Sequence, residues 1–213
     1  MLPFSTVVKL YVDSADPTEI GACVAAAGTS GAATSASLLA EAAQRAGGAP
    51  GALLREICGV ANGPVRVAVS ARDDDRAAML REARELAAVA TNVVVELPVG
   101  AAALEVMRSC TVEGIRTALG GCPTPEQALA AARAGASYVS APLGRTGGDT
   151  IRKLVALLRT YDATAEVVAG AIRVPTDVLD AAVVGAHAAS VPAAVLRQLP
   201  AESVRNANRG GPA

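Results

Sequence analysis

The chain has 213 residues, 52% of them hydrophobic, and a formal net charge of −1. That length and apolar content suit one domain with a continuous core, while the near-neutral charge gives no footprint for nucleic acid or anionic lipid. No apolar run approaches the roughly 18 to 20 residues that cross a bilayer, and MLPFSTVVKLYVD is not a basic-then-apolar leader, so the expectation is a cytoplasmic protein.

Taken in order, Val-rich runs alternate with longer Ala/Leu/Arg stretches at helical spacing, the pattern of repeated βα units. VVKLYV is the first strand and ends at Asp13; Asp16 and Pro17 then start a helix that Gly28 stops. GAATS is the second strand, followed by a helical segment split by GGAPG. RVAVSA is the third strand, and the helix after it opens on Asp73 to Asp75, where negative charge suits the helix dipole. NVVVELPV is apolar almost throughout, as a strand buried on both faces should be. GIRTALGG, SYVSA, EVVAGA and HAASV continue the strand series, with helical segments between them. Eight strands and about eight helices result. YVDSADP carries no Gly-rich dinucleotide fingerprint, so a closed single-domain (β/α)8 TIM barrel over 1–199 is expected rather than an open doubly wound sheet. Residues 200–213 carry too little apolar surface to pack and read as a trailing tail.

In such barrels the active site gathers at the C-terminal ends of the strands. Strand-end residues here include Asp13, Thr34, Ser35, Glu96 and Thr117, with Arg145 and Arg173 after the sixth and seventh strands and Ser70, Cys122 and Ser190 completing the set. The four cysteines form no CxxC pair, and His187 is the single histidine, so neither a histidine-based metal site nor a catalytic triad is expected. His187 begins the eighth strand, at the barrel bottom, where its role is structural. No cofactor is expected.

Several of these stretches resemble the transaldolase and fructose-6-phosphate aldolase family, in order and spacing, from Leu10 to about Leu199. LYVDSAD resembles that family's opening strand, GAATSASLLA its GVTTNPSLIA segment, and NVVVELPV its VVKIP or VVKVP strand. AARAGASYVSAPLGRTGGDTI, EVVAGAIRVPTDVL and GAHAASVPAAVLRQL follow. The resemblance implies the barrel fold and a catalytic lysine that forms an imine with a ketose. At the matching position stands Glu96, and a carboxylate cannot form an imine. Other polar positions are altered: the family's TTNPS asparagine is Ser35, a third-strand acid or amide is Ala68, a fifth-strand asparagine is Ala118, a following threonine is Gly120, and a phosphate-binding serine is Ala171. Asp13, Thr34, Ser37, Thr117, Arg145 and Arg173 are matched, the two arginines suiting a phosphate or carboxylate.

Glu96 and Asp13 are therefore the candidate catalytic pair, with Thr34, Ser35, Thr117, Arg145 and Arg173 as candidate substrate-binding residues. A carboxyl group turned into the barrel among Val93, Val94, Val95, Leu97 and Pro98 is a candidate general acid or base. Three readings stand: acid/base catalysis of a cyclisation, isomerisation, dehydration or aldol-type step on a specialised metabolite; a non-catalytic homologue that binds a metabolite or partner enzyme; or residual transaldolase activity. The expected partner is a small molecule, or in the second reading alternatively a partner enzyme, and the resemblance implies that a homo-oligomer is possible.

Overall fold

The computed structural model describes residues 8–72, 75–121, 124–144 and 147–199. The expected tail at 200–213, together with Cys122, Arg145 and the first two of the three aspartates, lies outside those residues. Eight parallel strands close into a barrel in which each pairs with the next and the last with the first. They are β1 (Lys9–Asp13), β2 (Gly31–Ser35), β3 (Val65–Ala68), β4 (Val93–Leu97), β5 (Thr117–Leu119), β6 (Tyr138–Pro142), β7 (Glu166–Gly170) and β8 (Ala188–Pro192). The expected TIM barrel is thus the fold.

Local signals explain several boundaries. The Asp16 carboxylate accepts from the backbone N–H groups of Thr18 and Glu19 at the start of α1 (Pro17–Ala27), and Gly28 closes that helix in the left-handed region at φ 60°. The split segment after β2 forms two helices, α2 (Ala36–Ala46) and α3 (Pro50–Val60), because Gly47 caps one and Pro50 starts the next. Asp75 caps α4 (Arg76–Ala87). The remaining helices are α5 (Ala101–Val112), α6 (Pro125–Arg133), α7 (Gly147–Thr160), α8 (Pro175–Val183) and the short α9 (Ala193–Leu196). Among the described residues no helix is long and apolar enough to cross a membrane.

Period-two alternation sorts each strand between two cores. Val93, Val95 and Leu97 of β4 join the large cluster shared with the helices, whereas Val94 belongs to a smaller cluster with Tyr11, Ala118, Tyr138, Val168 and Ala188. The inner cluster is unusual for a barrel in having two tyrosines at its centre, packed edge to face with ring centroids 6.2 Å apart. Gly31 makes room for them: a Cβ there would lie 2.9 Å from the Tyr11 ring and 2.3 Å from the Pro64 carbonyl oxygen.

Beneath the tyrosines, Lys9 pairs with Glu166, and His187 Nδ1 accepts from the Val167 N–H at 2.9 Å. Burial lowers the imidazole pKa below its usual value, with Glu166 opposing and Lys9 reinforcing the shift. The unfolded chain therefore takes up a proton below about pH 6.5 that the folded one resists. Stability from this group is present above that pH and lost as pH falls through the folded value. The urea midpoint is expected to drop between about pH 7.5 and 5, and to drop less in His187→Asn, whose amide oxygen can replace Nδ1.

Candidate active site

At the C-terminal ends of the strands a cavity of about 350 Å³ opens. Small residues create it: Ala33 of β2, Gly170 of β7 and Ala171 line its wall. On β4, Glu96 is two residues beyond Val94 and shares its inward face, so its carboxylate lines this cavity. The apolar residues flanking it in sequence are not its surroundings, since Val93, Val95 and Leu97 pack toward the helices.

The partners of Glu96 come instead from β3 and β6. Arg66, 4% exposed, extends from β3 over the Tyr11 ring with its guanidinium carbon 5.5 Å from the ring centroid. Its Nη1 donates to Ser140 Oγ at 2.7 Å and lies 3.5 Å from Glu96 Oε2. Ser140 Oγ in turn donates to Glu96 Oε2 at 3.2 Å. Glu96 and Ser140 meet across β5 because only Ala118 of β5, and Gly120 just beyond its end, stand between them. The shortest approach of the ion pair is 3.5 Å, with Ser140 bridging it, and Glu96 keeps 20% of its side chain exposed to the cavity.

Gly120 is the position that admits this carboxylate. A Cβ there would come within 2.6 Å of Glu96 Oε1 and 2.9 Å of its Cγ. Gly120→Ala is expected to cost about 1–3 kcal/mol by overpacking, and most of that cost should vanish in a Glu96→Ala background. Denaturation midpoints of the four proteins check it; an equal cost in both backgrounds would place the clash elsewhere.

Asp13, at the end of β1, opens onto the same cavity. Enclosure in the mouth raises its carboxyl pKa above the usual range; Arg66 opposes this and Glu96 adds to it. Thr34 and Ser35 also line the cavity. The Thr34 hydroxyl is buried without a hydrogen-bond partner, whereas Ser35 Oγ accepts from the Leu38 N–H as the cap of α2 and contacts Ser37 Oγ. Ser190 is a further lining residue.

Three of the described residues that the sequence selects are not brought to the cavity; one of them, Ser70, donates its N–H and hydroxyl to the Glu82 carboxylate instead. Thr117 is fully buried, outside the lining, with an unpaired hydroxyl. Arg173 is exposed on the rim, also outside it. Nearby, Ala171 adopts a left-handed φ of 55°, and Asp177 accepts from the N–H groups of Arg173 and Val174 at 2.7 and 3.1 Å. The amides that begin α8 are thus occupied from within. Among the described residues no cluster suits a metal ion.

Arg66 and Ser140 are absent from the strand-end set. Their signal was parity: Arg66 is two residues before Ala68, and Ser140 two before Pro142, which puts each on an inward face below the strand end.

The profile of the family described as Transaldolase/Fructose-6-phosphate aldolase matches residues 10–209. A "Probable transaldolase" of Rhodospirillum centenum is 40% identical over 199 residues, covering 90% of this chain and 84% of that protein. One from Sorangium cellulosum is 38% identical over 198 residues, covering 90% and 89%. Among solved structures, orotidine 5'-monophosphate decarboxylase from Methanocaldococcus jannaschii aligns with a TM-score of 0.66 at 12% identity, covering 95% of this chain and 96% of that one, a likeness of fold alone.

Proposed function

Because the chain belongs to the transaldolase/fructose-6-phosphate aldolase family yet has a carboxylate in the mouth where the resemblance places the imine-forming lysine, we propose that it transforms a small carbonyl compound by proton transfer at Glu96. The observation that carries this reading is the Glu96–Ser140–Arg66 arrangement, which sets a base and a cation side by side in a cavity. Glu96 takes the proton from a carbon next to the substrate carbonyl. The C–H electron pair forms a C=C bond as the carbonyl π pair moves onto oxygen, and the Arg66 guanidinium stabilises the resulting enolate. Glu96 can return that proton to the neighbouring carbon, and Asp13, whose pKa burial raises, is the second acid/base group at the same mouth. Isomerisation, dehydration, cyclisation and aldol-type cleavage all begin from such an enolate, and a specialised metabolite is the substrate this reading favours.

Ser35 supplies a hydroxyl contact beside Thr34 on the cavity wall, and Arg173, exposed on the rim, receives a phosphate or carboxylate, the role that the resemblance also gives Arg145. Thr117, buried outside the lining, supports the fifth strand in this reading. The chain's two lysines give imine chemistry no support. Lys9 is held by Glu166 below the tyrosines, and Lys153 is exposed on α7.

A second reading, a non-catalytic homologue that binds a metabolite or partner enzyme, draws on one observation: Glu96 is already engaged by Arg66 and Ser140. Deuterium exchange separates the two. In heavy water, small α-hydroxyketones and their phosphates are expected to gain deuterium beside the carbonyl with the wild type and not with Glu96→Gln. Exchange in neither would favour binding alone. Borohydride with the same ketones should leave Lys9 and Lys153 unmodified; a reduced adduct on either would establish imine chemistry and sink the proposal.

A further inference from the structure

The mouth is not the whole of the space available to a ligand. Asp13 and Leu38 line both the mouth cavity and a second, larger one of about 750 Å³ that runs outward between α1, α2 and α3. Leu38, at the junction, is 42% exposed despite its size. Ala42 and Ala46 of α2 and Leu53 of α3 give this groove an aliphatic floor. Its charge is one-sided, with carboxylates from Asp13, Asp16, Glu19 and Glu56 against the single guanidinium of Arg45.

Two of those carboxylates are already committed. Asp16 caps α1, and Glu19 accepts from Ser14 Oγ and pairs with Arg197. Glu56, exposed on α3, and Asp13, at the junction, remain to face a ligand.

We infer that the groove is a substrate subsite for an aliphatic arm ending in a cation, attached to the carbonyl head that reacts beside Glu96. Because the groove and the mouth share Asp13 and Leu38, the occupant is assigned to the same molecule, and the excess of carboxylates sets the sign of its terminal charge. The assignment of the head rests on the acid/base reading above; the assignment of the arm rests on the groove itself.

The test uses the full chain and three methyl ketones that share one straight alkyl arm, ended by trimethylammonium, by methyl or by carboxylate. Calorimetric titration is expected to rank trimethylammonium first, about tenfold tighter than carboxylate, which is about 1.4 kcal/mol. Ala46→Trp, which fills the groove from an exposed helix position, should erase the ranking, and so should Glu56→Lys. Glu105→Lys, an equal charge change outside the groove, should preserve it. Equal affinities in the wild type, or a ranking that survives both groove substitutions, would overturn the subsite. Deuterium uptake into hydroxyacetone is measured in parallel. If the wild type leaves that ketone unlabelled, the proton-transfer reading fails while the ranking still decides the groove.

Discussion

Glu96→Gln is expected to lower turnover by about 100- to 10,000-fold, the span typical of a positioned acid or base and equivalent to roughly 2.7–5.4 kcal/mol of barrier. The substitution keeps side-chain length, and its amide oxygen can still accept from Ser140 and Arg66, so the geometry of the mouth is retained while the proton acceptor is lost. The measurement is a metabolite comparison in a host lacking the gene, complemented with the wild type or with Glu96→Gln, the abundance of both being checked. Failure of the variant, with accumulation of one metabolite, identifies the compound to assay with purified protein. Equal rescue would mean that the carboxyl group does no chemistry and that the protein serves by binding.

Removing the partner tests a different property. Arg66→Met is expected to destabilise the fold by about 2–4 kcal/mol, toward the lower end of what breaking a buried ion pair costs, because Glu96 keeps some contact with water. Met replaces much of the aliphatic stem but not the cation over Tyr11 or the donor to Ser140. In the double variant Arg66→Met/Glu96→Gln most of the loss should return, since no charge is then left unpaired. Thermal midpoints report this directly, at about 2–4 °C for each kcal/mol in a chain of this size. Additive losses would show that Arg66 contributes through packing on the tyrosine and not through Glu96.

The barrel was legible because its information is local and repeated. Strands such as NVVVELPV, helix starts such as Asp16–Pro17 and stops such as Gly28 each declare themselves within a few residues. Glu96 was legible for the same reason, being a carboxylate inside an apolar strand. Its environment was not, because strand neighbours point alternately to opposite faces, and the residues that touch Glu96 come from strands about 30 and 44 positions away. Arg66 illustrates the difficulty. Between Val65 and Val67 it reads as a lone polar residue near the beginning of a strand, and only closure of the barrel brings it against a carboxylate. Thr117 shows the converse: expected at a strand end, it opens β5 and, next to the inward Ala118, is turned away from the cavity.

The two tyrosines at the barrel's centre have a consequence for traffic. Tyr11 is 1% exposed and Tyr138 9%, so together they stopper the interior between the mouth and the Lys9–Glu166 pair. Among the described residues the barrel's two ends are therefore unequal: the mouth, with the groove beside it, is open and the lower end is shut. Under the proposed chemistry, whatever leaves the carboxylate departs on the mouth side, where its successor also arrives, so a slowly departing product obstructs the next molecule.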